Sequence, residues 1–421
     1  MSKQIVVVGG GYIGIQFAQE LAKQLPSSSQ ATITVVEKND FTFHCIGMPR
    51  ALVDPSYVPK LFIPLVHALP SANTKILRGI ADKIDGHSLL VREISAGDHV
   101  ASAPTRVPFD YLVLATGSSY ASPIKVAKGQ FSRDGVETAI ATTAARIQAA
   151  NSVLVVGGGP VGIEVAAEIA VKYPSKHVTI LDANKELVAN AKMTDAFRTA
   201  LAEKLARVGV KLVLGERLPQ RLTSHGLTKT TLETDKGTKI ESDVQLVCAG
   251  MTPNVDLVRD LDPSLVTDRG IRVTPGCQLA DSRFNQVFVI GDANDHPTPK
   301  LSYTGTEQAK HVAKQLAALV RNGGRGTVKP FVSGAVEAML VPVGPKGGVG
   351  QLPFLGGFVV GDFMIAMIKS KDYFAPKMYA DWRTTYDGKE VKSSSGGMVI
   401  GAALVVAVAV AVVWRVGSSS K

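Results

Sequence analysis

Cysteine is scarce in this chain. There are three in 421 residues, Cys45, Cys248 and Cys277, and no two stand in a C-x-x-C pair. That argues against a disulfide framework and a dithiol redox centre, and for buried apolar fillers in a reducing compartment. Concentrated basic runs are absent too. The 46 Lys and Arg exceed the 36 Asp and Glu, a formal charge of +10, yet they form no Lys/Arg-rich tract and no basic stretch interleaved with aromatics. Nucleic-acid binding is therefore not expected. The first β-branched run starts at about Gln4, which leaves no room for a signal or transit peptide. Residue 2 is Ser rather than Gly, so no N-myristoyl group is expected. No metal site is expected.

What is present begins with one phrase written twice. Gly9-Gly10-Gly11-Tyr12-Ile13-Gly14 and the eight residues after it recur 148 positions later, from Gly157-Gly158-Gly159-Pro160-Val161-Gly162, with eight of fourteen residues identical. Each copy follows an apolar strand-like run, Ile5–Val8 or Val153–Val156, and leads into Ala-rich helical sequence. One G-x-G-x-x-G is weak evidence, but two in matched context predict two dinucleotide sites. Gly9 and Gly157 allow the tight turn. Gly11 and Gly159 let a pyrophosphate approach the backbone. Gly14 and Gly162 bring helix and strand together. The phosphates then meet free N–H groups at the positive end of the helix dipole.

An acid follows at the matching place in each unit. Glu37 ends the alternating run Thr32–Glu37, 23 residues past Gly14, and Asp182 ends Val178–Asp182, 20 residues past Gly162. A carboxylate there accepts ribose hydroxyls. Asp182 would repel a 2′-phosphate, so NADH is expected over NADPH, although the nearby Lys185 works against that. Three further buried runs end in small-residue turns: Tyr111–Gly117, Leu246–Asn254 and Val287–Ala293, the last carrying Asp292 at its carboxyl end. Open α/β sheets bind ligands at that end.

The two repeats, the Ala115-Thr116-Gly117 turn and the Gly291-Asp292-Ala293 turn together resemble the glutathione-reductase-type, two-dinucleotide flavoproteins over about residues 4–315. The resemblance implies an α/β fold with two Rossmann-like domains. FAD would bind the first, through Gly9, Gly11, Gly14, Glu37, Arg50, Ala81, Thr116, Gly117, Asp292 and Lys300. NAD(P)H would bind the second, through Gly157, Gly159, Gly162, Asp182 and Gly250. Thr298–Tyr303, Gly348–Gln351 and Lys369–Phe374 are similar to the apoptosis-inducing-factor-like quinone reductases of ferroptosis-suppressor type, extending the likeness to about residue 385. This implies catalytic roles for Glu164 near the nicotinamide amide and for Lys369 and Phe374 on the flavin side. It also implies a discontinuous FAD domain (1–120 and 255–325), an NAD(P)H domain (121–254) and a smaller α+β covering domain (326–386). The animal members use an N-terminal lipid, which is not expected here.

The disulfide reductases of this superfamily carry C-x4-C beside the flavin, whereas Cys45 is followed five positions later by Arg50. Electrons must then pass from flavin directly to an acceptor, which needs alignment and electrostatic tuning rather than a protein nucleophile. Lys300 would stabilise reduced flavin, or be a solvated loop lysine. His44 reads as a packed loop residue near the flavin ring. Residues 331–385 are enriched in Phe354, Phe358, Phe363, Phe374, Met364, Met367 and Met378. That composition suits either the core of a homodimer or a slot for a quinone and its isoprenoid tail.

Met398–Trp414 is a 17-residue run without charge. As a helix it spans about 25 Å, enough for a thin bilayer. A Ser/Gly linker (387–397) precedes it, Trp414 and Arg415 suit the interface, and residues 316–395 carry ten Lys/Arg against six Asp/Glu. The expectation is a C-terminal transmembrane anchor (398–415) near anionic lipid, inserted after synthesis with the enzyme body in the cytosol. Flanking Lys389, Lys392, Arg415 and Lys421 fit the mitochondrial outer membrane, with the endoplasmic reticulum or a lipid droplet as alternatives. The expected activity is transfer of a hydride from NADH through FAD to a quinone such as ubiquinone. The competing readings are a monodehydroascorbate or ferredoxin-type reductase, and an FAD-holding death-signalling or nucleic-acid-binding protein with little turnover.

Overall fold

The computed structural model describes residues 2–389, apart from 29, 70, 71, 190, 191, 335–337, 354 and 355. The expected anchor and Phe354 lie outside these residues. Among the described residues no helix is long and apolar enough to cross a membrane.

Among them the largest sheet has seven strands. β1 (Lys3–Val8), β2 (Ala31–Glu37), β3 (Thr74–Asp85), β4 (Ser88–Glu93), β5 (Thr105–Pro108), β6 (Tyr111–Leu114) and β11 (Val287–Val289) lie in the order β11-β6-β1-β2-β3-β4-β5. The five from β11 to β3 are parallel, and β4 and β5 add an antiparallel edge. β1 shows why its sequence is apolar throughout. Ile5 and Val7 face one side, against α1 (Tyr12–Gln24) and α4 (Ser302–Arg321), while Val6 and Val8 face the other, with Leu89, Val258 and Leu265. Both faces are covered, as parallel sheets require. β11 is some 170 residues beyond β6 yet pairs with it, so the chain leaves this unit and returns.

The intervening stretch builds a four-stranded parallel sheet. β7 (Ser152–Val156), β8 (His177–Asp182), β9 (Val210–Leu214) and β10 (Val244–Val247) run in the order β9-β8-β7-β10. α2 (Pro160–Lys172) follows β7, and α3 (Asp195–Arg207) precedes β9. The two passages between units lie side by side: Ser118–Ser119 pairs antiparallel with Thr252–Pro253.

The last segment forms an antiparallel sheet, β12 (Met339–Pro342), β13 (Gly348–Leu352) and β14 (Phe358–Val360), then a helical stretch from Asp362 to Ser370 and α5 (Ala375–Asp381). Ile365 packs with Leu352 and Val360 beneath the helix. Trp382, fully buried, fastens the segment back onto the first unit. Its indole N–H donates to Thr42 Oγ1 (2.8 Å), whose own hydroxyl donates to the Gly10 carbonyl.

Candidate active site

The two glycine turns have the same geometry. Gly9 has φ +112° and Gly157 φ +125°, backbone that favours glycine. A Cβ on Gly14 would lie 1.9 Å from the Gly9 carbonyl oxygen, and one on Gly162 would lie 1.9 Å from that of Gly157. By contrast a Cβ on Gly11 or Gly159 would meet nothing within 4 Å, so the space in front of each is open.

The acids repeat as well, with a partner the sequence reading did not single out. Glu37 accepts from the backbone N–H of Gly10 (2.6 Å) and from the backbone N–H (3.0 Å) and side-chain amide (3.2 Å) of Asn39. Asp182 accepts from the Gly158 N–H and from the backbone N–H (2.7 Å) and side-chain amide (2.8 Å) of Asn184. In each unit an Asn two residues past the acid fixes the carboxylate over the glycine turn. The signal was present at equal spacing in both copies.

In the first unit these features open onto a cleft of about 540 Å³, within the range for small-molecule and cofactor sites. Gly9, Gly11, Glu37, Ala81, Thr116, Gly117, Asp292 and Lys300 all line it. Gly14 lies behind it, packed on Gly9. Asp292 follows β11, accepts from the Ser118 hydroxyl (2.6 Å) and lies 3.5 Å from the Lys125 ammonium. Neither Ser118 nor Lys125 stood out in the sequence. Thr116 is held by Asn254, whose amide donates to the Thr116 carbonyl (2.8 Å) while its own carbonyl accepts the threonine hydroxyl (2.8 Å). Lys300 donates to the Asn294 carbonyl, and burial lowers its pKa. Cys45 also lines the cleft. It is free, like Cys248 and Cys277, and burial raises its pKa, so it stands there as a thiol.

Arg50 does not line this cleft. Its guanidinium grips Glu168 of α2 in a two-point pair, Nε to Oε2 at 2.7 Å and Nη2 to Oε1 at 2.8 Å. His44 is fully buried beside the Tyr12 hydroxyl (2.8 Å from Nδ1), and burial pulls its pKa down to about 4.

In the second unit Gly157, Gly159, Gly162 and Asp182 frame the turn after β7. Gly250, at φ +82°, lies in the turn after β10, the strand paired with β7, its carbonyl held by Arg221 (3.1 Å). Glu164, 4% exposed and the fifth residue of α2, meets the Lys369 ammonium at 2.7 Å. Burial raises the Glu164 pKa and Lys369 opposes it. Lys369 lies in a π-helical turn, Ala366–Ser370, a widening often found at functional sites. Phe374, half-buried, caps α5 in the left-handed region at φ +66°. The structure thus joins Glu164 to Lys369, 205 residues apart, with Phe374 a few residues beyond the lysine. Glu168, one turn past Glu164, was overlooked although the repeat contains it.

These donor sets fit two dinucleotides. Open glycine turns at helix N-termini suit pyrophosphates, and the fixed acids suit ribose hydroxyls. In the first cleft Asp292 and Lys300 add a hydrogen-bonding acid and a cation for a flavin portion.

Comparison with known proteins agrees. Residues 3–313 match the pyridine nucleotide-disulphide oxidoreductase family. The apoptosis-inducing factor homolog B of Dictyostelium discoideum is 30% identical over 391 residues, covering 88% of this chain and 95% of that one. Ferroptosis suppressor protein 1 of Homo sapiens is 28% identical over 384 residues, covering 90% and 95%. The sulfide:quinone oxidoreductase of Aquifex aeolicus shares the fold, with TM-score 0.70 at 14% identity over 91% of each chain. The chain belongs to the pyridine nucleotide-disulphide oxidoreductase family, an FAD-dependent oxidoreductase that uses NAD(P)H.

Proposed function

We propose that this enzyme passes the reducing equivalents of NADH through FAD to a quinone, with the covering segment forming the acceptor side. The balance is NADH, H⁺ and quinone giving NAD⁺ and quinol. FAD, when bound, supplies hydride acceptance from the nicotinamide and electron donation to the acceptor. Everything else falls to the chain.

The observation that carries the reading is Cys45, a lone protonated thiol in the cleft. A disulfide-reducing relative would need a second sulfur there; the cysteines here are free and Arg50 is paired with Glu168. Electrons therefore leave to a diffusible acceptor. The fold shared with the sulfide:quinone oxidoreductase spans 91% of this chain and so reaches into the covering segment, which supports a quinone as that acceptor.

The roles follow from placement. Gly157, Gly159 and Gly162 seat the NADH pyrophosphate, and Asp182 takes its adenosine ribose, disfavouring a 2′-phosphate. The Glu37 set and Asp292 hold FAD. Glu164, oriented by Lys369, holds the nicotinamide amide, and Lys369 and Phe374 close the acceptor side against water. The three units are assigned as 1–120 with 255–325, 121–254 and 326–386, the boundaries read from the sequence. Residues 398–415 tether the body to a membrane, most simply the mitochondrial outer membrane, where the quinone is dissolved. The test is anaerobic. NADH should bleach the flavin of the purified protein, and a short-chain quinone should restore its colour. Bleaching without recovery would remove the quinone from the reading.

A further inference from the structure

Lys369 and Phe374 stand on backbone that its own hydrogen bonds hold only in part. The helical stretch from Asp362 ends at Ser370, where orphan carbonyls need partners. Those partners come from the first unit: Arg50 Nη2 donates to the Ser370 carbonyl (2.9 Å), and the Tyr57 hydroxyl donates to the Asp372 carbonyl (2.6 Å). Next come two consecutive non-glycine residues in the left-handed region, Tyr373 at φ +52° and Phe374 at φ +66°. Such residues persist only where the surroundings over-determine them, and they cluster at functional sites.

The Asp372 carboxylate accepts the Phe374 N–H (3.1 Å), and Glu168 secures Tyr373. Glu168 Oε1 accepts the Tyr373 hydroxyl (2.9 Å) as well as Arg50 Nη2, while Oε2 accepts Arg50 Nε. The Tyr373 ring is fully buried, with the Arg50 guanidinium 5.3 Å from its centroid. One carboxylate on α2 therefore fixes both the residue that caps the helix end and the first residue of the left-handed pair. Glu164, on the same face of α2 one turn earlier, takes Lys369. Two neighbouring carboxylates each hold one end of the Lys369–Phe374 stretch. Had Glu168 only to neutralise Arg50, the third bond, to Tyr373, would be unnecessary.

We propose that Glu168 and Tyr373 are positioning residues for the acceptor side, holding Lys369 and Phe374 in register with α2 through Arg50. This rests on the reading that those two residues meet the acceptor. The test uses the full chain with both cofactors. Tyr373→Phe removes one hydroxyl and keeps the ring. Its KM for a water-soluble quinone should rise about tenfold, while flavin bleaching by NADH slows less than twofold. The Tyr373 amide, which donates to the Lys369 carbonyl at 2.7 Å, should exchange hydrogen at least tenfold faster, with β1 and β7 unchanged. Glu168→Gln, if it folds, should show the same split. A purely structural role would instead slow both half-reactions together and lower the melting temperature in proportion. Unchanged quinone KM and unchanged exchange in Tyr373→Phe would overturn the proposal. Should the wild type reduce no quinone at all, the functional reading fails on its own, and the exchange rate at Tyr373 still decides the positioning role.

Discussion

Glu164 is a carboxylate kept from water with one ammonium for company. Lys369 neutralises it, yet an apolar pair would be cheaper to bury. Its retention fits a hydrogen-bonding duty toward the nicotinamide amide. Glu164→Ala should slow bleaching of the flavin by NADH at least tenfold in a stopped-flow experiment while FAD stays bound. Unchanged kinetics would leave Glu164 only its pairing with Lys369. Asp182 makes a sharper claim, because its carboxylate is already fixed by Gly158 and Asn184. The wild type should prefer NADH over NADPH by at least tenfold in kcat/KM, about 1.4 kcal/mol, and Asp182→Ser should narrow that gap. A wild-type preference for NADPH would show that Asp182 does not face the ribose. His44 gives a pH prediction. Its folded pKa of about 4 lies below the unfolded value of 6.5, so folding favours the neutral ring. That stability is complete above pH 6.5 and is lost as the pH falls toward 4, by up to roughly 3 kcal/mol. The melting temperature of the wild type should drop over that interval, and His44→Gln should flatten the drop.

At the scale of elements, the glycine turns decide which cofactor is lost. A methyl on Gly14 or Gly162 has a carbonyl oxygen 1.9 Å away, and such overpacking costs about 1–3 kcal/mol. Gly14→Ala should yield colourless protein, whereas Gly162→Ala should stay yellow and lose NADH binding; absorbance at purification and a nucleotide titration distinguish the two. These turns were legible because their cause is local. A strand, three glycines at fixed spacing and an acid ending the next strand are dictated by a short stretch of chain, and the structure changes only their margins: Ile5–Val8 extends to Lys3–Val8, and the run into Asp292 is a three-residue strand followed by a 3-10 turn. Glu164 and Lys369 came singly through family likeness rather than spacing, and their pairing was not legible. Arg50 shows where reading from the sequence fails. Its partners, Glu168 and the carbonyl of Ser370, are 118 and 320 residues away, and no local pattern announces either. The left-handed pair Tyr373–Phe374 is equally silent, since neither residue type favours that backbone. Lys125 reaches the Asp292 carboxylate from the passage between units, where its ammonium also donates to Ser118.

At the scale of the whole molecule, three segments of the described residues meet around one buried arrangement of charges. The first unit supplies Arg50, the second supplies Glu164 and Glu168, and the covering segment supplies Lys369 and Tyr373. A reaction that hands electrons from one bound cofactor to another and then to an acceptor needs such a junction, because each partner must be aligned without a covalent link. The tail beyond it should raise the local quinone concentration without entering the chemistry. Truncation at Ser394 should therefore preserve turnover of water-soluble quinones and depress turnover of long-chain quinone in liposomes several-fold. Equal loss on both would make the tail structural. The most direct measurement is a scan of acceptors at fixed NADH with the flavin-loaded full chain under anaerobic conditions. A short-chain quinone should reoxidise the bleached flavin and consume one NADH per quinone, far faster than ferredoxin or ascorbyl radical. Reoxidation by ferredoxin or ascorbyl radical alone, with quinone inert, would contradict the account.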